Sequence, residues 1–308
     1  MKIFIHSCHA GLEYDQARML TDMGHEVSGI FDIGSEQKPK IKGITDKNGK
    51  AGNADLYLLH QSEDFPERSA DYATKYGKPV ITMAFGQGGN DSHAKMATVL
   101  KDIPNTFLCA YSETAVNIYK KLGCSTNDKV HFIRFGKRLT EFGPWSGVDH
   151  SCLVACNSIH KRGDACGWPI VAMLRQSGIN VKLVGHETEE VGGLGLVSDK
   201  ELKDLFRQAY VAFVPGTVPA QYTLTMMEAA ASGTPIIAWD SGCGLGDENL
   251  GLHTVKTLQE AVAAIKLAMD DDLNRAGLHG LSVNAAKKHF DEKKVVKKWG
   301  AMLDSLCT

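Results

Sequence analysis

Long apolar runs are missing from this chain of 308 residues. Nothing in it approaches the ~18 consecutive apolar residues of a membrane-spanning helix. The opening MKIFIHSCHAG breaks its short apolar run at His6, so it reads as a buried first strand rather than an export signal, and a cytoplasmic protein is expected. An excess of one charge is missing too. Lys and Arg total 34 against 36 Asp and Glu, a formal charge of −2, so nothing global points to nucleic acid or an anionic membrane. No CxxC pair occurs among the eight cysteines, and the twelve histidines are spread singly, which speaks against a structural zinc site. Cys152 and Cys156 fall within one strand-like stretch, a poor arrangement for a disulfide, so free and mostly buried thiols are expected. No GxGxxG follows the first strand, where HSCHAG stands instead, which argues against a dinucleotide-dependent oxidoreductase.

What is present is an ordinary globular balance, 43% apolar and 23% charged. The length exceeds a usual single domain of roughly 100–200 residues, so two domains are expected. Short apolar runs alternate with amphipathic stretches, the rhythm of βαβ units. Strands read over 2–7, 27–31, 56–60, 78–84, 106–111 and 130–134, with helices over 14–23 and 66–76. Glycine and proline break the rhythm in 137–149, the mark of a linker. The alternation resumes with strands over 151–156, 181–184, 211–214 and 234–239, and helices over 168–176, 199–209, 226–232 and 284–306. The expected class is α/β, with two doubly wound Rossmann-like domains facing across a cleft and ligands held at the C-terminal ends of the strands.

The segment 220–238, AQYTLTMMEAAASGTPIIA, is the most informative. A loop enters a helix in which Glu228 is the one acidic residue among Met and Ala, and Gly-Thr-Pro then leads into a buried strand. A lone carboxylate there needs a hydrogen-bonding partner. Ligand hydroxyls are one such partner, and a neighbouring backbone group is the other. The preceding loop also brings backbone N–H groups and a helix N-terminus to a place where phosphate could sit.

Glu228-Ala-Ala-Ala-Ser-Gly-Thr-Pro-Ile-Ile-Ala resembles the "EAMACGTPVVA" signature of family 4 glycosyltransferases, which have the GT-B fold. Further stretches resemble that family in the same order. They are INVKLVG ending at Gly185, LVSDKELKDLFRQA ending at Ala209, VAFVP ending at Pro215, and VHFIRFGKRLTEF at 130–142. In the first half, His9-Ala-Gly11, Gly24-His25-Glu26-Val27 and Tyr111-Ser112-Glu113 resemble the family's opening glycine loop, its "GHEV" turn and its "VSE" step. The resemblance implies an acceptor-side domain over 1–140, a linker over 141–150, and a nucleotide-sugar donor domain over 151–286. It also implies a terminal helix over 287–308 that packs back on the first domain.

Carried onto matching positions, Glu228 corresponds to the carboxylate that holds the donor's ribose hydroxyls. The loop Asn157-Ser-Ile-His-Lys-Arg-Gly163 corresponds to the one that neutralises the donor diphosphate, which implicates His160, Lys161 and Arg162. Gly185 and the loop up to Val197 fall where the nucleobase would stack, and Gly11 where the first domain's loop approaches the phosphates. Gln221, Thr223, Leu224 and Thr225 complete the implied donor set. Two departures stand out. The family's first Glu falls at Ala220, and its "GFGL" reads Gln221-Tyr222-Thr223-Leu224 here. The His that many relatives carry after the fourth strand is replaced by the run Thr82-Met-Ala-Phe-Gly-Gln87. Either the donor sugar needs fewer contacts than a common hexose, as a pentose or deoxysugar would, or Gln221 and Thr223 supply different ones. A non-catalytic nucleotide-sugar binding or regulatory protein is the alternative from another class.

The implied reaction is sugar transfer with retention, and the leaving phosphate helps to deprotonate the acceptor hydroxyl. A UDP-sugar is the expected co-substrate, with no cofactor and no metal. Lys161 and Arg162 are the candidate catalytic cations, with Gln87 on a loop expected to face the cleft. His9 and Asp15 share that face and read as structural or positioning residues. The acceptor is left open among a glycan, a lipid-linked hydroxyl and a hydroxymethylated base in nucleic acid. The run 37–50, with five Lys against one Asp, reads as a solvated loop or as a clamp for an anionic acceptor through Lys38, Lys40 and Lys42.

Overall fold

Two parallel sheets organise the chain, each extended in both directions from its first strand. The computed structural model describes all residues except 8–9, 31–44, 47–50, 61–63, 85–89, 127, 219, 221, 241–244, 246–247 and 307–308. At 10–13, 45–46 and 90 it describes the backbone alone. The chain divides into two compact units, Met1–Gly136 with Glu292–Thr308, and Lys137–Asp291.

The first unit holds β1 (Lys2–His6), β2 (Glu26–Ile30), β3 (Thr45–Asp46), β4 (Leu56–His60), β5 (Val80–Ala84), β6 (Thr106–Ala110) and β7 (Val130–Phe132). Their order is β3-β2-β1-β4-β5-β6-β7, and every pairing is parallel. The sequence rhythm explains this. β4 and β5 are buried along their whole length, as strands covered on both faces must be. The helices are α1 (Ala10–Asp22), α2 (Phe65–Tyr76), α3 (Asn90–Asp102) and α4 (Glu113–Lys121). Phe4, Tyr57, Leu59 and Val80 form one core cluster, against which Tyr72 and Tyr76 of α2 pack. Ala84, Leu108 and Ala110 form another with Met96 and Leu100 of α3 and Tyr119 of α4. Ser112 caps α4 by accepting from the Ala115 N–H at 3.0 Å, and Gly77 ends α2 at φ +62°.

In the second unit the elements run β8 (Asp149–Ala155), α5 (Ile159–Arg162), α6 (Trp168–Gln176), β9 (Val181–Val184), α7 (Asp199–Gln208) and β10 (Ala209–Val214). They continue with α8 (Leu224–Ala231), β11 (Ile236–Trp239), β12 (His253–Val255), α9 (Leu258–Asp270) and α10 (Asp272–Ala285). The sheet order is β12-β11-β10-β8-β9, again parallel throughout. Local chemistry starts the helices. Ser198 with Glu201, and Thr257 with Glu260, form reciprocal caps on α7 and α9.

The Lys-rich stretch read as one helix over 284–306 is two. α10 gives way to a π-helical turn over Ala286–Phe290, Asp291 is extended, and α11 (Glu292–Leu306) follows. Phe290, the last residue of that turn, is fully buried beside Tyr222, with ring centroids 5.5 Å apart. The Lys137 N–H donates to the Phe290 carbonyl at 2.7 Å, and Lys137 pairs in parallel with Asp291. α11 belongs to the first unit, with Val295, Trp299, Met302 and Leu303 buried and Glu292 paired with Arg18 at 2.5 Å. Among the described residues, no helix is long and apolar enough to cross a membrane.

Candidate functional site

In the second unit the chain leaves β8 for β9 on one side of the sheet and returns to β10 on the other. That reversal makes the C-terminal ends of β8, β9 and β10 a topological switch point, where open parallel sheets bind ligands. The three loops that leave these ends carry most of the donor residues expected from the sequence.

The loop after β8 turns through Ser158 in the left-handed region, φ +48°, and enters the short α5 with His160, Lys161 and Arg162. It is stitched to the loop after β9. The Asn157 Oδ1 accepts from the His186 N–H at 2.9 Å, and the Ser158 N–H donates to the His186 carbonyl at 2.7 Å. Gly185 has φ +137°, and a Cβ there would stand 2.6 Å from the Cys156 carbonyl oxygen, so only glycine fits the close approach of these loops. Thr188, fully buried, donates to the Gly185 carbonyl at 2.8 Å and accepts from the Gly195 N–H at 3.0 Å, which closes the second loop on itself. Val197 is half-buried at its end, whereas Leu194 and Leu196 are 54% and 72% exposed. Those two leucines are an apolar surface that the sequence reading did not single out.

The cations meet carboxylates. Lys161 Nζ lies 2.8 Å from Glu187 Oε1 and 3.0 Å from Glu190 Oε1, and His160 Nε2 lies 3.0 Å from Glu190 Oε2. The bond from Lys161 holds the half-buried Glu187 carboxyl down at about 2, and Glu187 in turn raises Lys161. Arg162 is exposed and makes no ion pair with a described residue. The His160 Nδ1 is buried without a hydrogen-bond partner among the described residues. Five described cysteines are free, four of them buried. The neighbouring thiols of Cys156 and Cys166, on either side of this loop, act on each other, which raises Cys156 and lowers Cys166.

The loop after β10 closes on itself where the Ala220 N–H donates to the Thr217 carbonyl at 2.6 Å, and it is tied to residue 165 by the Val218 N–H at 2.8 Å. Ala220 is 8% exposed and Tyr222 4%, so the position of the missing acid is a packed apolar one. Thr223 caps α8 by accepting from the Met226 N–H at 3.3 Å, and its hydroxyl lies 2.9 Å from that of Thr225. Leu224 opens the helix and is half-buried. Met226, Met227, Ala229 and Ala230 bury one side of α8, and Glu228 is left with a side chain 15% exposed. Its partner is neither backbone nor ligand: Lys137 Nζ donates to Glu228 Oε1 at 2.8 Å from a side chain 7% exposed.

Other expected residues fall elsewhere. Gln221, Gln87, His9, Lys38, Lys40 and Lys42 lie outside the described residues. In the first unit Gly11 stands in the first turn of α1, directly after β1 and its switch point with β4. Asp15 is paired with Arg18 at 3.4 Å. The strand ends there carry a polar group absent from the sequence reading. Ser7 Oγ lies 2.5 Å from His60 Nδ1, His6 Nδ1 lies 3.1 Å from the Tyr72 hydroxyl, and Arg68 NH1 lies 3.4 Å from His6 Nε2. Burial, reinforced by Arg68, lowers the His6 pKa.

No protein-family model matches the chain, and no curated protein sequence does. Solved structures do. HepE of Anabaena, determined with UDP and glucose, aligns with a TM-score of 0.77 at 13% identity over 99% of this chain and 100% of its own. A glycosyltransferase of Rickettsia africae aligns at 0.75 with 14% identity, over 100% and 98% of the two chains. Sucrose-phosphate synthase of Thermosynechococcus elongatus aligns at 0.65 with 16% identity, over 99% of each. At such identities the likeness is one of fold, and that fold, two parallel-sheet α/β domains spanning the whole chain, is the GT-B fold.

Proposed function

We propose that this protein is a glycosyltransferase that holds a UDP-sugar at the β8–β9–β10 end of its second unit and transfers the sugar, with retention, to an acceptor hydroxyl. The observation that carries the reading is the convergence of three loops on one switch point. One brings cations, one a glycine-shaped turn with exposed apolar residues, and one a capped helix with an inward carboxylate. A nucleoside diphosphate calls for these three chemistries. The full-length likeness to HepE, which was determined with UDP-glucose, supports uridine as the base.

In this reading Glu228 accepts from the ribose hydroxyls, and the loop between β9 and α7 takes the base. Arg162 and Lys161 stabilise the departing diphosphate, where preorganised charge is a large catalytic term. The hydroxyls of Thr223 and Thr225, at the positive end of α8, assist them. Because Ala220 is packed and apolar, Gln221 and Thr223 would supply the sugar's contacts. The acceptor is taken to be a glycan or lipid-linked hydroxyl.

A thermal-shift panel of nucleotides and nucleotide sugars tests this with wild type and Glu228→Ala. A ligand at about 100 times its Kd adds ~2.7 kcal/mol to the folded state. Stabilisation by a UDP-sugar that the variant loses is the expected result. If no nucleotide stabilises the wild type, the donor site does not exist.

A further inference from the structure

We infer that Lys137 is a positioning residue for the donor nucleoside, holding the Glu228 carboxylate aimed for the ribose; this rests on the donor-site reading above. Neither charge is comfortable alone. Lys137 has 7% of its side chain exposed and Glu228 15%, and Lys is almost never buried without a partner. They meet at 2.8 Å through a charge-assisted bond, which is shorter and stronger than a neutral one.

The bond occupies Oε1 alone, and Glu228 has no other partner among the described residues. A carboxylate offers about four acceptor sites, so capacity remains for the two vicinal hydroxyls of a ribose. Lys137 can aim the carboxylate because its own main chain is fixed. Its N–H is bonded to Phe290 at 2.7 Å, it pairs with Asp291, and Phe290 is clamped beside Tyr222.

The test compares the affinity of UDP with that of 2′,3′-dideoxyuridine 5′-diphosphate, by calorimetry, in wild type, Lys137→Met and Lys137→Arg. Wild type should prefer UDP by roughly tenfold or more, the worth of a hydrogen bond to a charged group. Lys137→Met should bring that preference close to one while leaving affinity for the dideoxy analogue nearly unchanged. Lys137→Arg should fall between, since it keeps the charge but not the geometry. A Met variant with lowered stability but the wild-type preference would make Lys137 merely structural and overturn the inference. Should Lys137→Met not fold, an Arg variant whose preference equals that of wild type overturns it equally. Wild type that does not bind UDP, or binds both nucleotides alike, removes the donor-site reading itself and this inference with it.

Discussion

Lys161 and Glu187 form an ion pair at 2.8 Å across two loops, and Glu187 holds its place in the left-handed region at φ +61°. With Glu190 also 3.0 Å from Lys161, the first cation of the candidate phosphate loop is already matched by two carboxylates. Arg162 is exposed beside it. Arg162→Ala should therefore weaken UDP binding by about tenfold, whereas Lys161→Ala costs less than about threefold. Replacing Glu187 and Glu190 together by Gln should tighten binding, most clearly at low salt. Titration calorimetry at two ionic strengths reads all three variants. A larger loss from Lys161→Ala would mean that the acidic pair moves away when nucleotide binds.

Gly185 and Gly163 both have positive φ, +137° and +55°, but only Gly185 is crowded. A Cβ on Gly185 meets the Cys156 carbonyl at 2.6 Å, and a Cβ on Gly163 meets nothing within 4 Å. Gly163→Ala should cost roughly 1–3 kcal/mol from backbone strain alone, and Gly185→Ala more than that because its Cβ also clashes. Denaturant titration of the two variants checks the order. Equal costs would show that the two loops part easily.

Trp299 is the largest fully buried side chain among the described residues, and it lies on α11 in the first unit. Trp299→Ala should cost about 3–5 kcal/mol, and the loss should fall on one unit. Hydrogen exchange should show lost protection in β6 and β7 with β8 and β10 unchanged. Loss spread evenly over both sheets would contradict this assignment of α11.

His93 is 3% exposed, with Nδ1 3.0 Å from the Tyr119 hydroxyl, and burial lowers its pKa below 6.5. Burial lowers His6 and His131 as well. The unfolded chain then binds more protons than the folded one below pH 6.5, so stability is full above that value and is lost as pH falls toward the folded-state pKa. Melting temperatures should drop between about pH 7 and pH 5, and His93→Gln should flatten part of that slope. An unchanged slope would remove His93 from the acid response.

The elements most legible in the sequence were those whose inward positions are all apolar. β4, β9 and α6 have the bounds read for them, and β4 is buried along its whole length, as a strand covered on both faces must be. α3 was not recognised although it turns four residues inward, His93, Met96, Ala97 and Leu100. Its first core position is polar, which hides the periodicity. α10 was hidden the same way, since Arg275 and Ser282 alternate inward with Leu278 and Ala285. Arg275 is accommodated by the Ala268 carbonyl at 2.8 Å and by Asp272, so its burial satisfies a charge that the sequence presents as surface.

Among the candidate site residues, Glu228 was legible because an acid in a helix of Met and Ala needs a reason. Its partner was not, because Lys137 stands 91 residues away in a stretch that reads as linker. The sequence by itself determined the alternation of strands and helices and hence the α/β class, because caps and apolar runs act over a few residues. Only the tertiary structure decided which cation answers which acid: Lys137 for Glu228, and Glu187 with Glu190 for Lys161. Those pairings join residues 26 to 91 positions apart: parallel strands bring the loops of Lys161, Glu187 and Glu190 to one end of a sheet, and Lys137 reaches Glu228 from a segment fixed to Phe290 and Asp291. No local periodicity encodes that proximity.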